Sequence, residues 1–403
     1  MDFYEVQMKE NRKPCNINRK YEFLNAIWNI KQSWTGRIDA NIVNIFIQEA
    51  AQMIINAISV FEQGYFDCAY YSLRQALEIA TTMVYLVDIE YEKREDKLSD
   101  WKNQRRFPMD NKMKEYLSKN GYIFADMKQN MSIYFEAVEN KRKSYNKYIH
   151  KQGFKYLYVS RWSMRNQEQI IDEEIQAFEE DVIFCIGTVA VMRLAIDPFP
   201  ILLMDEEIFY RTGDTMTLPY SIEFVEKYIG IDVIEQYKKT NVYKNHYDYI
   251  YQEERKSVAV TDVVKNQYID ISKLKEILEQ VHLLNENDIV AVKIVELLPH
   301  ISKVYCGGGL WWYFTNNKTK RKKQSWKGND FQSFKENTIK YNMLYDEAYI
   351  SCLKTQGETF FIEHNNKLNE NDISLIEKLE NEFNSRTWNS YGESYHKQMK
   401  SCK

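Results

Sequence analysis

At 403 residues the chain exceeds what one ordinary hydrophobic core organises, so two or three domains are expected. Its 44% hydrophobic and 14% aromatic content suffices for sizeable cores, and only six prolines and thirteen glycines favour helices over a many-turned sandwich or barrel. With 54 basic against 58 acidic side chains the formal charge is −4, which excludes a global field drawing the protein to nucleic acid or an anionic membrane, so any basic surface must be local.

The first thirty residues carry charges throughout, among them Glu5, Lys9, Glu10, Arg12 and Lys13, with no apolar run of signal-peptide type. Residues 42–63 then repeat apolar positions at helical spacing, with Ile45, Phe46, Ile54, Ile55, Ile58 and Phe61 as inward candidates. Gly64 ends this helix. YFDCAYYSLRQALEIATTMVYLVDIEYEK runs on without Gly or Pro as a second long helix, and the two form an antiparallel hairpin, the seed of a bundle. A polar connection, REDKLSDWKNQRRFPMDNK, precedes helical periodicity at 111–120 and 126–150. The acidic residues 172–181 lead into an apolar helix at 182–196, which Arg193 interrupts and which is shorter than the roughly 20 residues a bilayer needs. A buried core helix is expected there, with no membrane span.

Asp197-Pro198-Phe199-Pro200 is the best boundary candidate in the chain. Beyond it lie shorter helical patterns at 220–239, 270–284, 288–298 and 372–385, with strand-like runs at 305–315 and 357–364. Leu-Asn-Glu-Asn-Asp-Ile occurs at both 284–289 and 368–373; Asn and Asp ahead of an apolar helix read more simply as N-caps than as a duplicated unit. The expected fold is therefore mainly α: an N-terminal antiparallel helical bundle over 1–200, then a mixed α+β region over 201–403. The cysteines at 15, 68, 185, 306, 352 and 402 form no CxxC pair, which fits buried free thiols in a reducing cytoplasm.

Two stretches could carry chemistry. In RKSYNKYIHKQG (142–153), His150 lies four residues from Asn146 and seven from Lys143, about 40° and 20° around a helix, whereas Arg142 is about 80° away. A cation, an amide and an imidazole can thus line one stripe. Metal-free RNA cleavage needs a base for the 2′-hydroxyl, an acid for the leaving oxygen and a cation for the developing phosphorane charge, and histidine can serve the first two. The alternative is that His150 caps the end of its helix. The second stretch, 318–328, clusters Lys318, Lys320, Arg321, Lys322, Lys323 and Lys327 around Trp326, which could grip phosphates and stack a base, or form a solvated hairpin tip.

FEQGYFDCAYYSLRQALEI, with Arg74 and Glu78 four residues apart, followed some seventy residues later by NKYIHKQG, resembles the HEPN-type helical bundles of bacteria and archaea over roughly residues 40–200. The resemblance implies an all-helical, commonly dimeric bundle whose active members are metal-independent ribonucleases of toxin–antitoxin and phage-defence systems. It places His150 at the motif histidine. The family pattern sets Arg four to six residues ahead of His; Arg142 has seven between, and Lys143 has the spacing without the residue type. Arg74 and Glu78, four residues apart on a helix, read as a helix-packing pair, with a role in the site as the alternative.

The functional expectation is a cytoplasmic RNA-binding protein, as a homodimer, with His150 as acid–base residue assisted by Arg142 or Lys143 and Asn146, and with no cofactor or metal. The rival is a non-catalytic helical module that binds a partner protein or nucleic acid. CGGGL at 306–310 lacks the Gly-Lys-Ser/Thr continuation of a phosphate loop, so its glycines mark a bulge or a tight contact.

Overall fold

The computed structural model describes residues 3–9, 12–105, 107–157, 167–212, 216–254, 257–321, 326, 328–355 and 357–385. The chain is mainly helical with an α+β C-terminal region, and it divides into two compact units. The first comprises Met1–Met204 and Asp214–Tyr249, the second Asp205–Gly213 and Ile250–Lys403. The first unit thus extends past the double proline and recovers 214–249 after a short excursion.

The helices of the first unit are α1 (Phe3–Lys9), α2 (Lys20–Gln32), α3 (Val43–Glu62), α4 (Phe66–Val87), α5 (Tyr91–Lys102), α6 (Asp110–Asn120), α7 (Phe124–Asn130), α8 (Ser132–Ile149) and α9 (Gln167–Arg193), with further helical pieces after residue 199. α3 and α4 form the expected hairpin, packed through Phe46, Ile54, Ile58 and Phe61 on one helix and Ala69, Leu73, Leu77 and Ala80 on the other. Ile45 is 63% exposed and lies on the outer face, displaced by one residue from the inward Phe46. Among the described residues α3 alone is long and apolar enough to cross a membrane; in this unit much of it is core, with Ala50, Ala51, Ile54 and Ala57 buried.

Two interruptions differ from the expected helices. The second helix stops at Val87 because Asp88 turns its carboxylate onto the backbone N–H groups of Tyr122, Ile123 and Phe124, capping the start of α7 from the end of α4. The first half of the stretch read as a polar connection, 94–102, belongs to α5 instead, and the described residues between Asn103 and Met109 are the connection. The stretch 126–150 is broken at Met131 into α7 and α8. In the opposite direction, the acidic and apolar segments at 172–196 merge into the single helix α9, whose N-terminal turns are polar and whose C-terminal half is core.

Gly187 lets α9 approach its neighbour closely: a Cβ there would sit 1.8 Å from the Tyr228 carbonyl oxygen. Gly187→Ala must push two helical segments apart, and a loss of about 2 kcal/mol in urea-melt stability is expected from overpacking of this kind.

The second unit carries a six-stranded sheet in the order β1-β3-β2-β6-β5-β4, where β1 is Tyr268–Ile269, β2 Ile301–Cys306, β3 Trp311–Thr315, β4 Met343–Tyr345, β5 Ala348–Lys354 and β6 Thr359–His364. β1 pairs with β3 in parallel; the other pairings are antiparallel. The single run expected at 305–315 is two strands, because Gly307, Gly308 and Gly309 all take positive φ (59°, 66° and 93°) and turn the chain back on itself. One face of the sheet packs on Glu286–Leu297 and Glu370–Ser385 through Val304, Ile362, Leu353 and Ile376; the other is covered by the aromatic residues of Gly328–Glu336. Both copies of the Leu-Asn-Glu-Asn-Asp-Ile hexapeptide form reciprocal caps: Asn285 with Asp288 at 2.9 and 3.0 Å, and Asn369 with Asp372 at 3.0 and 3.1 Å.

Candidate functional site

α4 and α8 run antiparallel and are joined by a polar seam. Reading down α4 and up α8, Asp67 pairs with Lys151, the Tyr71 hydroxyl donates to the Ile149 carbonyl at 3.2 Å, Arg74 Nε donates to Asn146 Oδ1 at 2.8 Å, and Arg142 donates to the Leu77 carbonyl at 2.6 Å and to Thr81 Oγ1 at 2.5 Å. From Tyr71 to Leu77 on α4 and from Ile149 to Arg142 on α8 the partners advance by about one helical turn at each step, so one stripe of α8 (Arg142, Asn146, Ile149) meets one stripe of α4. The motif Arg-x-x-x-Glu and the motif Asn-x-x-x-His, 72 residues apart at Arg74 and Asn146, are thereby brought into direct contact.

His150 is the C-cap of α8 and is exposed; its backbone N–H bonds the Asn146 carbonyl at 2.8 Å. Its ring nitrogens have no hydrogen-bond partner among the described residues, so the capping role is taken by its backbone and not its imidazole. The helix ends there as Lys151 adopts φ +52°, ahead of Gly153. Lys143 is exposed on the same face two turns earlier, about 10 Å along the axis.

Arg142 faces the other way. Its side chain is 8% exposed and binds both oxygens of Asp110 at 2.6 Å, besides Leu77 and Thr81. A guanidinium held by four acceptors in the bundle interior is a structural cation, and the stripe expected to run from Arg142 to His150 is split between inside and outside. The cation that stands beside Asn146 is Arg74, which also pairs with Glu78 at 2.5 Å. Its side chain keeps 30% of its surface, against 8% for Arg142.

Beneath Arg74 and Asn146 lies a polar cavity of about 410 Å³, lined also by Glu78, Asp110, Lys114 and Arg142. Burial pushes the Glu78 carboxyl up, the charge of Asp110 adds to this, and Arg74 and Arg142 oppose it. Burial acts on Asp110 in the same direction, but Arg142 and Lys114 outweigh it and leave that carboxyl below its ordinary value. Two carboxyls in one cavity are thus pulled apart in acidity, a pattern common at functional sites and also produced by structural ion-pair networks.

The basic stretch of the second unit is distributed differently from the expected loop surface. Lys318 and Lys320 are exposed, the former paired with Asp205. Arg321 is buried and binds Glu363 at 3.0 Å, where both side chains are 0% exposed. Trp326 stacks on Tyr305 with ring centroids 4.1 Å apart and packs against Phe331 and Phe334, so its indole is already engaged. Lys322, Lys323 and Lys327 lie outside the described residues.

Among the described residues no group of three or more His, Cys, Asp or Glu side chains is placed to hold a metal ion. His246 bonds the Val242 carbonyl of its own helix. His364 is buried, accepts or donates to Ser351 Oγ at 2.9 Å and bonds the Asn366 carbonyl at 2.7 Å, and burial lowers its pKa. Ser351 also accepts from the Asn342 N–H, and this serine–histidine pair is a fully bonded core contact.

No protein-family model matches the chain, and no curated protein or solved structure matches it either. The signal that marks Arg74 lies in its sequence context, an Arg-x-x-x-Glu pair in the middle of a largely apolar helix.

Proposed function

We propose that the protein binds RNA and cleaves it without a metal ion, as a homodimer, in a bacterial defence or toxin role of the kind the HEPN resemblance implies. One observation carries this reading: the 2.8 Å bond from Arg74 to Asn146, which supplies from α4 the arginine that α8 lacks at the motif spacing. His150, one turn beyond Asn146 and open to solvent, is the acid–base residue. It takes the proton of a ribose 2′-hydroxyl as O2′ bonds to phosphorus; the P–O5′ bond breaks, and the 5′ oxygen receives a proton from an imidazolium, its own or that of the second subunit. A 2′,3′-cyclic phosphate and a 5′-hydroxyl result. Arg74 and Lys143 neutralise the phosphorane charge, and Asn146 fixes the guanidinium of Arg74.

The test is cleavage of a mixed tRNA and mRNA pool by purified protein in EDTA, with the ends of the products identified. Cyclic-phosphate ends are expected, with cleavage reduced about a hundredfold in His150→Ala and in Arg74→Gln at matched thermal stability. Undiminished cleavage by His150→Ala removes the assignment. RNA binding without cleavage by either protein favours the second reading, a non-catalytic module, which the inward commitment of Arg142 supports.

A further inference from the structure

A second cavity, of about 620 Å³, opens between α6, α7 and α8 and shares Asn111, Lys114, Glu139 and Arg142 with the polar cavity below Arg74. Its character is different. Phe124, Phe135, Val138 and Met192 form an apolar floor, and the two phenyl rings meet edge to face with centroids 5.1 Å apart. The rim is divided by charge. Lys114, Lys119 and Lys128 stand on the α6 and α7 side with Glu115, which Lys112 and Lys119 share, and Lys114 also holds Asp110 at 3.1 Å; Glu136 and Glu139 stand on the α8 side. Glu139 is paired with Lys114 at 2.7 Å, whereas Glu136 is exposed and has no ion-pair partner among the described residues.

We propose that this cavity is a base-binding subsite of the α4/α8 site, taking one unpaired, amino-bearing nucleobase of single-stranded RNA; the inference rests on the RNA reading above. The volume is that of a small-molecule pocket, and an apolar floor that includes two buried rings offers a flat base a surface to pack on. The lysines of one rim meet the backbone phosphates. Glu136 on the other accepts from an exocyclic amine, which adenine, guanine and cytosine carry and uracil lacks. Continuity with the polar cavity fixes the strand's path: from Val138 to His150 is twelve residues of helix and cap, about 18 Å, so the held base lies a short stretch of chain from the scissile phosphate.

The probes are short fluorescein-labelled 2′-O-methyl oligonucleotides, which cannot be cleaved, carrying one abasic residue at each position in turn, with binding to the full chain read by anisotropy. At one position the abasic substitution is expected to weaken binding about tenfold, with uracil there weaker than adenine. Ser132→Trp, which places an indole at the exposed mouth of the cavity, abolishes that position dependence. Equal affinity for every abasic oligonucleotide overturns the subsite while leaving RNA binding intact, and this arm needs no variant. Failure of every oligonucleotide to bind the wild-type protein overturns the RNA reading itself.

Discussion

Replacing Arg142 with methionine is expected to destabilise the helical unit by about 3 kcal/mol, a melting temperature roughly 10 °C lower, while His150→Ala stays within about 0.5 kcal/mol of the wild type. The asymmetry follows from where the two side chains sit. Methionine preserves the volume of the arginine stem but leaves Asp110, with 15% of its side chain exposed, holding only Lys114 at 3.1 Å, and removes the donor from Thr81. Breaking one side of a buried ion pair costs more than the pair contributed, because the remaining charge stays desolvated. Arg142→Lys restores one point charge and not the fork that spans Asp110, Leu77 and Thr81, so only partial recovery is expected. Arg142→Met combined with Asp110→Asn regains much of the loss.

The pH dependence of the same variant has a definite sign. Burial raises the Asp110 carboxyl, but Arg142 and Lys114 lower it more, so its folded pKa lies below the unfolded value of about 4. A depressed carboxyl contributes stability that is present above the unfolded pKa and is lost as pH falls through the folded one. The gap between wild type and Arg142→Met in denaturant melts is therefore full at neutral pH and narrows below about pH 4. A gap that holds constant to pH 2 would show that Arg142 acts by packing alone.

The opposite fates of Arg142 and Lys143 show where sequence reasoning stops. Adjacent helical residues point about 100° apart, and RKSYNKYIH has no apolar periodicity strong enough to say which of the two faces inward. The deciding group, Asp110, lies 32 residues away in a stretch with no mark of burial. Arg74 and Asn146 each belonged to a legible motif, but their contact depends on the register of two antiparallel helices, which no spacing encodes. The α3/α4 hairpin was legible because apolar residues recur at helical period on both sides of Gly64. α5 was not, since only Leu98 and Arg94 of YEKREDKLSDWK are buried where the side chains are described. β5 escaped because AYISCLK buries Ala348 and Ile350 to Leu353 in succession, leaving no alternation to read.

Arg321→Met is expected to lower the stability of the α+β unit by about 3–5 kcal/mol. A run of lysines conceals this residue: its neighbours suggest a solvated tip, whereas its own side chain is 0% exposed against Glu363. The signal was in the partner, a carboxylate inside the apolar strand TFFIEH, where a charge with no companion would be prohibitive. Glu363 faces Lys303 across the β2/β6 register, but Lys303 holds Glu206 at 2.6 Å, so it does not substitute for the lost guanidinium. Glu363→Leu alone strands Arg321 equally. The double replacement Arg321→Met with Glu363→Leu puts apolar groups of similar length in both places and is expected to recover most of the loss, since a buried ion pair is worth little more than a well-packed apolar substitute. If Arg321 instead reached solvent to hold phosphate, Arg321→Met would leave urea stability within about 0.5 kcal/mol and weaken RNA binding. The two measurements on one variant separate a core cation from a surface one.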